Sequence, residues 1–198
     1  MRQAKQGPTI AISGPAGSGK TTYAKMLARD LGLAYHSAGH VFREMARKAG
    51  MSLEEFNRLA SSDPRIDLKI DQEVLEIARR GGVVIEGHLV AWIVWSIADV
   101  VIYVTAPLEE RIRRIAARES RSIRDVARET ITREQMQLER YARYYGVDIT
   151  DYSIFDLVLN TAKLSINDAY TIIKETVCRI IGRKYSLDNC GGPRKDKV

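Results

Sequence analysis

The stretch Ile12–Thr22, ISGPAGSGKTT, constrains this chain more than any other. It overlaps a short, apolar, β-branched run, Thr9–Ser13, that reads as a buried strand. It leads into Thr21–Leu31, where Ala24, Leu27, Ala28 and Leu31 recur at helical spacing. Strand, glycine loop and helix is the context of a phosphate-binding P-loop, and Gly14-x-x-x-x-Gly19-Lys20-Thr21 fits that pattern at every fixed position. Glycines let successive backbone N–H groups converge on a phosphate, and the helix N-terminus adds its partial positive charge. Gly14, Pro15, Ala16, Gly17, Ser18, Gly19, Lys20, Thr21 and Thr22 are therefore expected to cradle the phosphates of a nucleoside triphosphate. Lys20 would reach the β- and γ-phosphates, and the Thr21 hydroxyl would ligate Mg2+.

The rest of the chain limits the kind of P-loop protein this is. A chain of 198 residues accommodates one domain with a real core. Charges interrupt every apolar stretch before membrane-span length, and MRQAKQGPT lacks the apolar centre of a signal peptide, so a cytoplasmic location is expected. Cys178 and Cys190 are then expected to be reduced thiols. The net charge of +6 is unevenly spread. Ten arginines and five acids lie between Arg111 and Arg143, and a second basic stretch, within 183–198, reads as a disordered tail. Arginines laced with acids at i,i+4, such as Glu129 with Arg133, would also make an ordinary solvated helix face.

Further strands are read at GLAYHSAG, VVIEG, VVIYVT and DLVLNT, alternating with helices over about 40–48, 52–61, 65–80, 107–119, 122–145 and from Ser165 on. In the last of these, Ala169, Ile172, Ile173, Val177 and Ile180 form the apolar face, and Trp92 and Trp95 are assigned to the core. Tyr141, Tyr144 and Tyr145 are read as contacts between the arginine-rich segment and the core. This order predicts an α/β fold, a five-stranded doubly wound parallel sheet with a P-loop and a helical, arginine-rich lid. Ligands bind at the carboxyl ends of such strands, which here carry Gly14 onward, His36-Ser37, Glu86-Gly87-His88, Thr105 and Asn160-Thr161. The guanine reader of a GTPase is missing, and the chain is too short for a helicase core. A kinase for a small acceptor remains, with the lid guanidinium groups closing over the phosphates.

SAGHVFREMARKAGMSLEEF, DPRIDLKID, VVIEGHLVAW, APLEERIRRIAARE and FDLVLNT, in that order, resemble the archaeal type of cytidylate kinase, from about Thr9 to Ile181. The resemblance implies transfer of the γ-phosphoryl of ATP to CMP or dCMP with Mg2+, in one kinase domain over residues 1–182. The acceptor region would span about 36–80 and the lid about 111–145. It implies that Ser37, Arg43, Glu86, Gly87 and His88 bind the acceptor, and that Arg118, Arg133 and Arg140 contact the transferring phosphoryl and the nucleotides. Glu86 would hold Mg2+ through water, and Asn160 would lie near the adenine. Partners are then small nucleotides, with the chain a monomer or weak dimer. The family commonly has an arginine at position 88 and an acid at 137; His88 and Gln137 depart from it on the acceptor side. A histidine facing the acceptor phosphate would make KM for CMP worsen from about pH 6 to about pH 8.5. AMP, UMP, another deoxynucleotide or shikimate remain alternative acceptors, and a nucleic-acid-associated P-loop ATPase is the rival from another class. The latter would show steep salt dependence, and the absence of aromatics among Arg111–Arg133 speaks against it.

Replacing Lys20 by Met is expected to leave the melting temperature unchanged while lowering kcat by about 100-fold or more, because the charge is used in the transition state. Steady-state kinetics beside a thermal melt checks this. Near-normal turnover would remove Lys20 from the chemistry.

Overall fold

A computed structural model describes residues 5–185, 187 and 190. Five strands, β1 (Thr9–Ser13), β2 (Ala34–Ser37), β3 (Val83–Gly87), β4 (Val100–Thr105) and β5 (Leu157–Asn160), form one parallel sheet in the order β2-β3-β1-β4-β5. Eight helices accompany them: α1 (Lys20–Leu31), α2 (Ala38–Lys48), α3 (Leu53–Ser62), α4 (Arg65–Arg80), α5 (Val90–Val94), α6 (Leu108–Glu119), α7 (Ile123–Tyr145) and α8 (Ile166–Tyr185). Among the described residues, no helix is long and apolar enough to cross a membrane.

The central strands are apolar throughout because both sheet faces are covered. Side chains alternate across a strand, so Ile10 and Ile12 of β1 join Val84, Val100, Ile102 and Val104 under α1 and α8. Ala11, Val83, Ile85 and Val101 face α4 and α5 on the other side. Two satellite cores serve the site. Phe56, Ala60 and Ile66 bind α3 to α4, while Ile112, Ile115, Ala116 and Val126 bind α6 to α7. Capping is local and as the sequence indicates: Ser52 and Glu55 form a reciprocal capping box, and Ser122 accepts from the Asp125 amide.

The α8 face differs from the periodic reading: Ala169, Ile173, Val177 and Ile181 are buried, but Ile172 and Ile180 are exposed. Position 181, rather than 180, continues the stripe set by 170, 173 and 177, which a period of 3.6 accommodates equally well. Trp92 packs edge-on against Tyr103 and Phe155, whereas Trp95, also expected in the core, is exposed. The short helix α5 turns it outward.

Two features close the sheet at the end opposite the P-loop. Asp99, just before β4, accepts from the Thr9 amide, Lys5 Nζ, Lys184 Nζ and Tyr185 Oη. Burial alone would raise the Asp99 pKa, but the bonds from Lys184 and Lys5 prevail and hold it at about 2. Cys178 and Cys190, expected to be reduced, are joined in a disulfide. Leu187 and Cys190 pack on the core, so the segment expected to be a loose tail from 183 is ordered structure at least through Tyr185. The rest of that tail, 186, 188, 189 and 191–198, lies outside the described residues.

Reduction of the disulfide frees a short loop in the unfolded chain, and loops of this size are worth about 3 kcal/mol. Dithiothreitol is therefore expected to lower the melting temperature by about 5–10 °C, a shift that Cys178→Ser should abolish. Calorimetry with and without reductant checks this, and identical melts in the wild type would mean that the bridge contributes nothing.

Candidate active site

The strand register assembles the site. Ser13 lies opposite Gly87, Ile12 opposite Glu86, and Ser37 opposite Glu86 on the other flank. The carboxyl ends of β1, β2 and β3 thus converge where the P-loop begins. The loop needs its glycines. Gly14, Gly17 and Gly19 all have positive φ, and a Cβ at Gly14 would lie 2.0 Å from the Val104 carbonyl oxygen.

Glu86 is the centre of a compact polar knot. It is 2% exposed, and its Oε1 accepts from Ser37 Oγ at 2.5 Å, Tyr35 Oη at 3.1 Å and Thr21 Oγ1 at 3.2 Å. Three hydroxyls from β2 and α1 donate to the carboxylate where an apolar strand would otherwise bury it unpartnered at high cost. Burial, with Glu86 next, pushes the Tyr35 hydroxyl up to about 12. Ser37 also accepts from the His40 amide as the N-cap of α2. It is buried behind the cavity, so its contacts are with Glu86 and α2 and not with the space an acceptor would fill.

A cavity of about 860 Å³ opens in front of this knot, between the P-loop, α2, α4 and α7. Lys20, Thr21, Thr22, Arg43, Glu86, Gly87, His88, Arg118, Arg133 and Arg140 all line it, as does Gln137. Gly14, Pro15 and Ser18 lie behind its wall, and Asn160 is not on it. Asn160 instead accepts from the Ala162 amide, and its neighbour Thr161, fully buried, donates towards the Ser18 and Thr105 carbonyls. The end of β5 therefore buttresses the P-loop from below.

The arginine-rich segment divides into two sets. Arg113, Arg114, Arg121 and Arg128 pair with nearby acids. Glu129, expected to pair with Arg133, pairs with Arg121 at 2.7 Å across the α6–α7 turn. That leaves the Arg133 Nε buried with no hydrogen-bond partner. Arg111 is buried, pairs with Glu134 at 2.5 Å and donates to the carbonyls of Ala106 and Ala16, fastening α6 and α7 to the P-loop. Arg118, at the cavity mouth, is mostly exposed and paired with Glu119. Arg140 is buried against Asp67 of α4, at 3.0 Å, with Phe42 and Tyr141 about its guanidinium. Tyr144 donates to the Ser61 carbonyl and Tyr145 to Asp71, so the tyrosines do tie α7 to α3 and α4.

Crowded cations and burial shift the titrations. Burial, and then Arg133, Arg43 and Arg118, lower the Lys20 pKa to about 8 despite the pull of Glu86. Burial, and then Lys20, Arg133, Arg111 and Arg140, hold His88 well below the ordinary imidazole range. The free protein thus favours the neutral imidazole, which offers a single N–H donor to a ligand, where the sequence pointed to a histidine gaining charge at the acidic end of the range. Burial raises Asp67, and raises Asp71 to about 6 with the Tyr145 bond opposing.

Tyr35, Asp67, Asp71 and Asn57 escaped the sequence reading as site residues. One signal for the two acids was present. Asp67 and Asp71 sit four apart beside Ile66, Ile70 and Val74, so two carboxylates interrupt an otherwise apolar helix face. Nothing local marked Tyr35.

Residues 9–163 match the family model described as the cytidylate kinase-like family. The chain belongs to this family. It is 53% identical over 168 residues to the cytidylate kinase of Staphylothermus marinus, covering 85% of this chain and 95% of that protein. It is 50% identical over 181 residues to the cytidylate kinase of Pyrobaculum aerophilum, covering 91% and 98%. A shikimate kinase from Bacteroides thetaiotaomicron shares the fold, with a TM-score of 0.56, 16% identity and coverage of 86% and 98%.

Because phosphate binding requires the ammonium form, ATP affinity is expected to be constant below the free Lys20 pKa of about 8 and to fall above it. The loss is at most about tenfold per pH unit for one proton. Calorimetric titration in buffers of differing ionisation heat should show proton uptake at pH 8.5, absent in Lys20→Met; equal uptake in both would assign the proton to another group.

Proposed function

We propose that this chain is an ATP-dependent kinase that transfers the γ-phosphoryl of ATP to the phosphate of CMP or dCMP, giving ADP and the diphosphate. The observation that carries the reading is the near full-length identity to proteins named cytidylate kinase. The cavity agrees with it. One end is formed by the P-loop, the other by α2, α4 and α7, and a ring of cations lies between.

In this reading the P-loop backbone and Lys20 hold the donor phosphates. Arg43 of α2 and the neutral N–H of His88 orient the acceptor phosphate, placing one of its oxygens in line with the γ-phosphorus. Arg133 has an unpartnered buried Nε and stands ready to take negative charge on the transferring group. Arg118 serves from the cavity mouth once it exchanges Glu119 for phosphate oxygens. The exposed, screened Arg118–Glu119 pair resists that exchange little.

The residues fit Mg2+ bound together with nucleotide. Thr21 Oγ1 and Glu86 Oε1 are hard oxygen donors 3.2 Å apart at the mouth of the P-loop. Among the described residues, no group of three or more His, Cys, Asp or Glu side chains gathers to hold a metal alone, as suits an ion that retains water and phosphate ligands. Thr21 would bind it directly and Glu86 through water; the ion would neutralise charge on the β- and γ-oxygens.

A coupled assay with ATP, Mg2+ and a panel of CMP, dCMP, UMP, AMP and shikimate tests the function. CMP or dCMP is expected to give the highest kcat/KM. Preference for another acceptor, or hydrolysis stimulated only by nucleic acid, would overturn it. Within the panel, Arg133→Ala is expected to lower kcat by about 100-fold with little change in melting temperature, since its Nε makes no bond that folding would lose.

A further inference from the structure

One charged pair stands directly behind the cavity without lining it. Arg111 and Glu134 are 8% and 22% exposed, and each is next to a segment that does line it. The Arg111 guanidinium donates from Nη1 and Nη2 to the two Glu134 oxygens at 2.5 and 3.2 Å. It donates also from Nη1 to the Ala16 carbonyl at 3.1 Å and from Nε to the Ala106 carbonyl at 3.0 Å. A planar fork bonded on three sides has one orientation. Gly17 closes the contact, since a Cβ there would lie 2.6 Å from the Arg111 carbonyl oxygen. Ala16 also packs on the satellite core of α6 and α7. On the cavity side this fixes two things. The C=O and N–H of a trans peptide point in opposite directions, so an Ala16 carbonyl held by Arg111 turns the Gly17 N–H away from it. On the other arm, Glu134 follows Arg133 in α7, and Arg133 lines the cavity with its buried Nε unpartnered.

We propose that Arg111 and Glu134 are positioning residues for phosphoryl transfer, which together fix the spacing between the phosphate loop and the Arg133 guanidinium. This rests on the proposed kinase reading, in which Arg133 takes charge on the transferring group, and deepens it. Neither member of the pair touches a substrate. Their charges are matched to each other, and their effect passes through the Ala16–Gly17 peptide on one side and the Glu134 turn of α7 on the other. A loosened pair would let α7 shift against the P-loop. Misplacing a catalytic group by about 1 Å is enough to lower the rate by up to about 100-fold, while substrates bound mainly by other groups still bind. The pair therefore governs kcat more than either KM.

The test is a cycle of variants in the coupled assay with ATP and CMP, with a thermal melt of each. Glu134→Gln keeps the shape and one acceptor but loses the charged, two-pronged bond. It is expected to lower kcat about tenfold and to leave KM for ATP and for CMP within about twofold of wild type. In the Arg133→Ala background the same change is expected to lower kcat by less than about twofold more, because the pair acts through that arginine. Arg111→Lys keeps the charge without the fork. It is expected to match Glu134→Gln in both backgrounds, and it carries the comparison if Glu134→Gln does not fold. Losses that multiply in the double variant overturn the proposal, as does wild-type kcat in Arg111→Lys. A lowered melting temperature with kcat unchanged overturns it too, and leaves the pair a brace of the fold alone. Failure of the kinase reading itself is separately visible, as no wild-type turnover with CMP.

Discussion

The site depends on one buried carboxylate. Glu86 stands at the end of an interior strand, and an uncompensated charge there would be prohibitively expensive. Hydroxyls from Tyr35, Ser37 and Thr21 meet it on a single oxygen, joining β2, β3 and the first turn of α1. The knot sets where the P-loop helix begins relative to the sheet, and through the Ser37 cap it sets where α2 begins. Its negative charge also opposes burial and the crowding of Arg133, Arg43 and Arg118 around the Lys20 ammonium. Remove the carboxylate and the same cavity wall would repel itself.

Around that centre the protein separates two uses of arginine. Those on the outer face of α6 and the start of α7 are matched with Glu110, Asp125 and Glu129, which gives solubility and little stability. Those facing inward keep donors unmatched. Burial without a partner is unfavourable, so Arg133 and Arg140 store in the free protein a demand that an anionic, hydrogen-bonding ligand relieves. Arg111 belongs to neither set: fully engaged with Glu134 and two carbonyls, it makes the α6–α7 hairpin and the P-loop a single mechanical piece.

Legibility followed the range of the interaction. The strand, glycine loop and helix around Lys20, the alternation of five strands with helices, and the helix starts at Ser52 and Ser122 are local in sequence, and each stands where the pattern placed it. Arg43, Arg118, Arg133 and His88 do reach one cavity. What escaped is non-local. Which arginine pairs with Glu129 depends on the α6–α7 turn, and the lowered pKa of His88 comes from burial first and then from four cations on three other segments. Cys178 and Cys190 are brought together by the chain doubling back after α8, which a rule drawn from the cell's redox state does not anticipate.

Asp99 has a geometric consequence of its own. Lys5 near the start of the described chain and Lys184 and Tyr185 near its end grip one carboxylate at the amino-terminal edge of β4. The candidate site opens at the carboxyl-terminal edge of the same sheet. The two ends of the described fold are therefore neighbours on the side facing away from the candidate site. A short peptide could join them and new ends be opened in an exposed turn elsewhere, with the nucleotide cleft undisturbed. The order in which this fold is written along the chain is thus a matter of connection, while the arrangement of its strands is not.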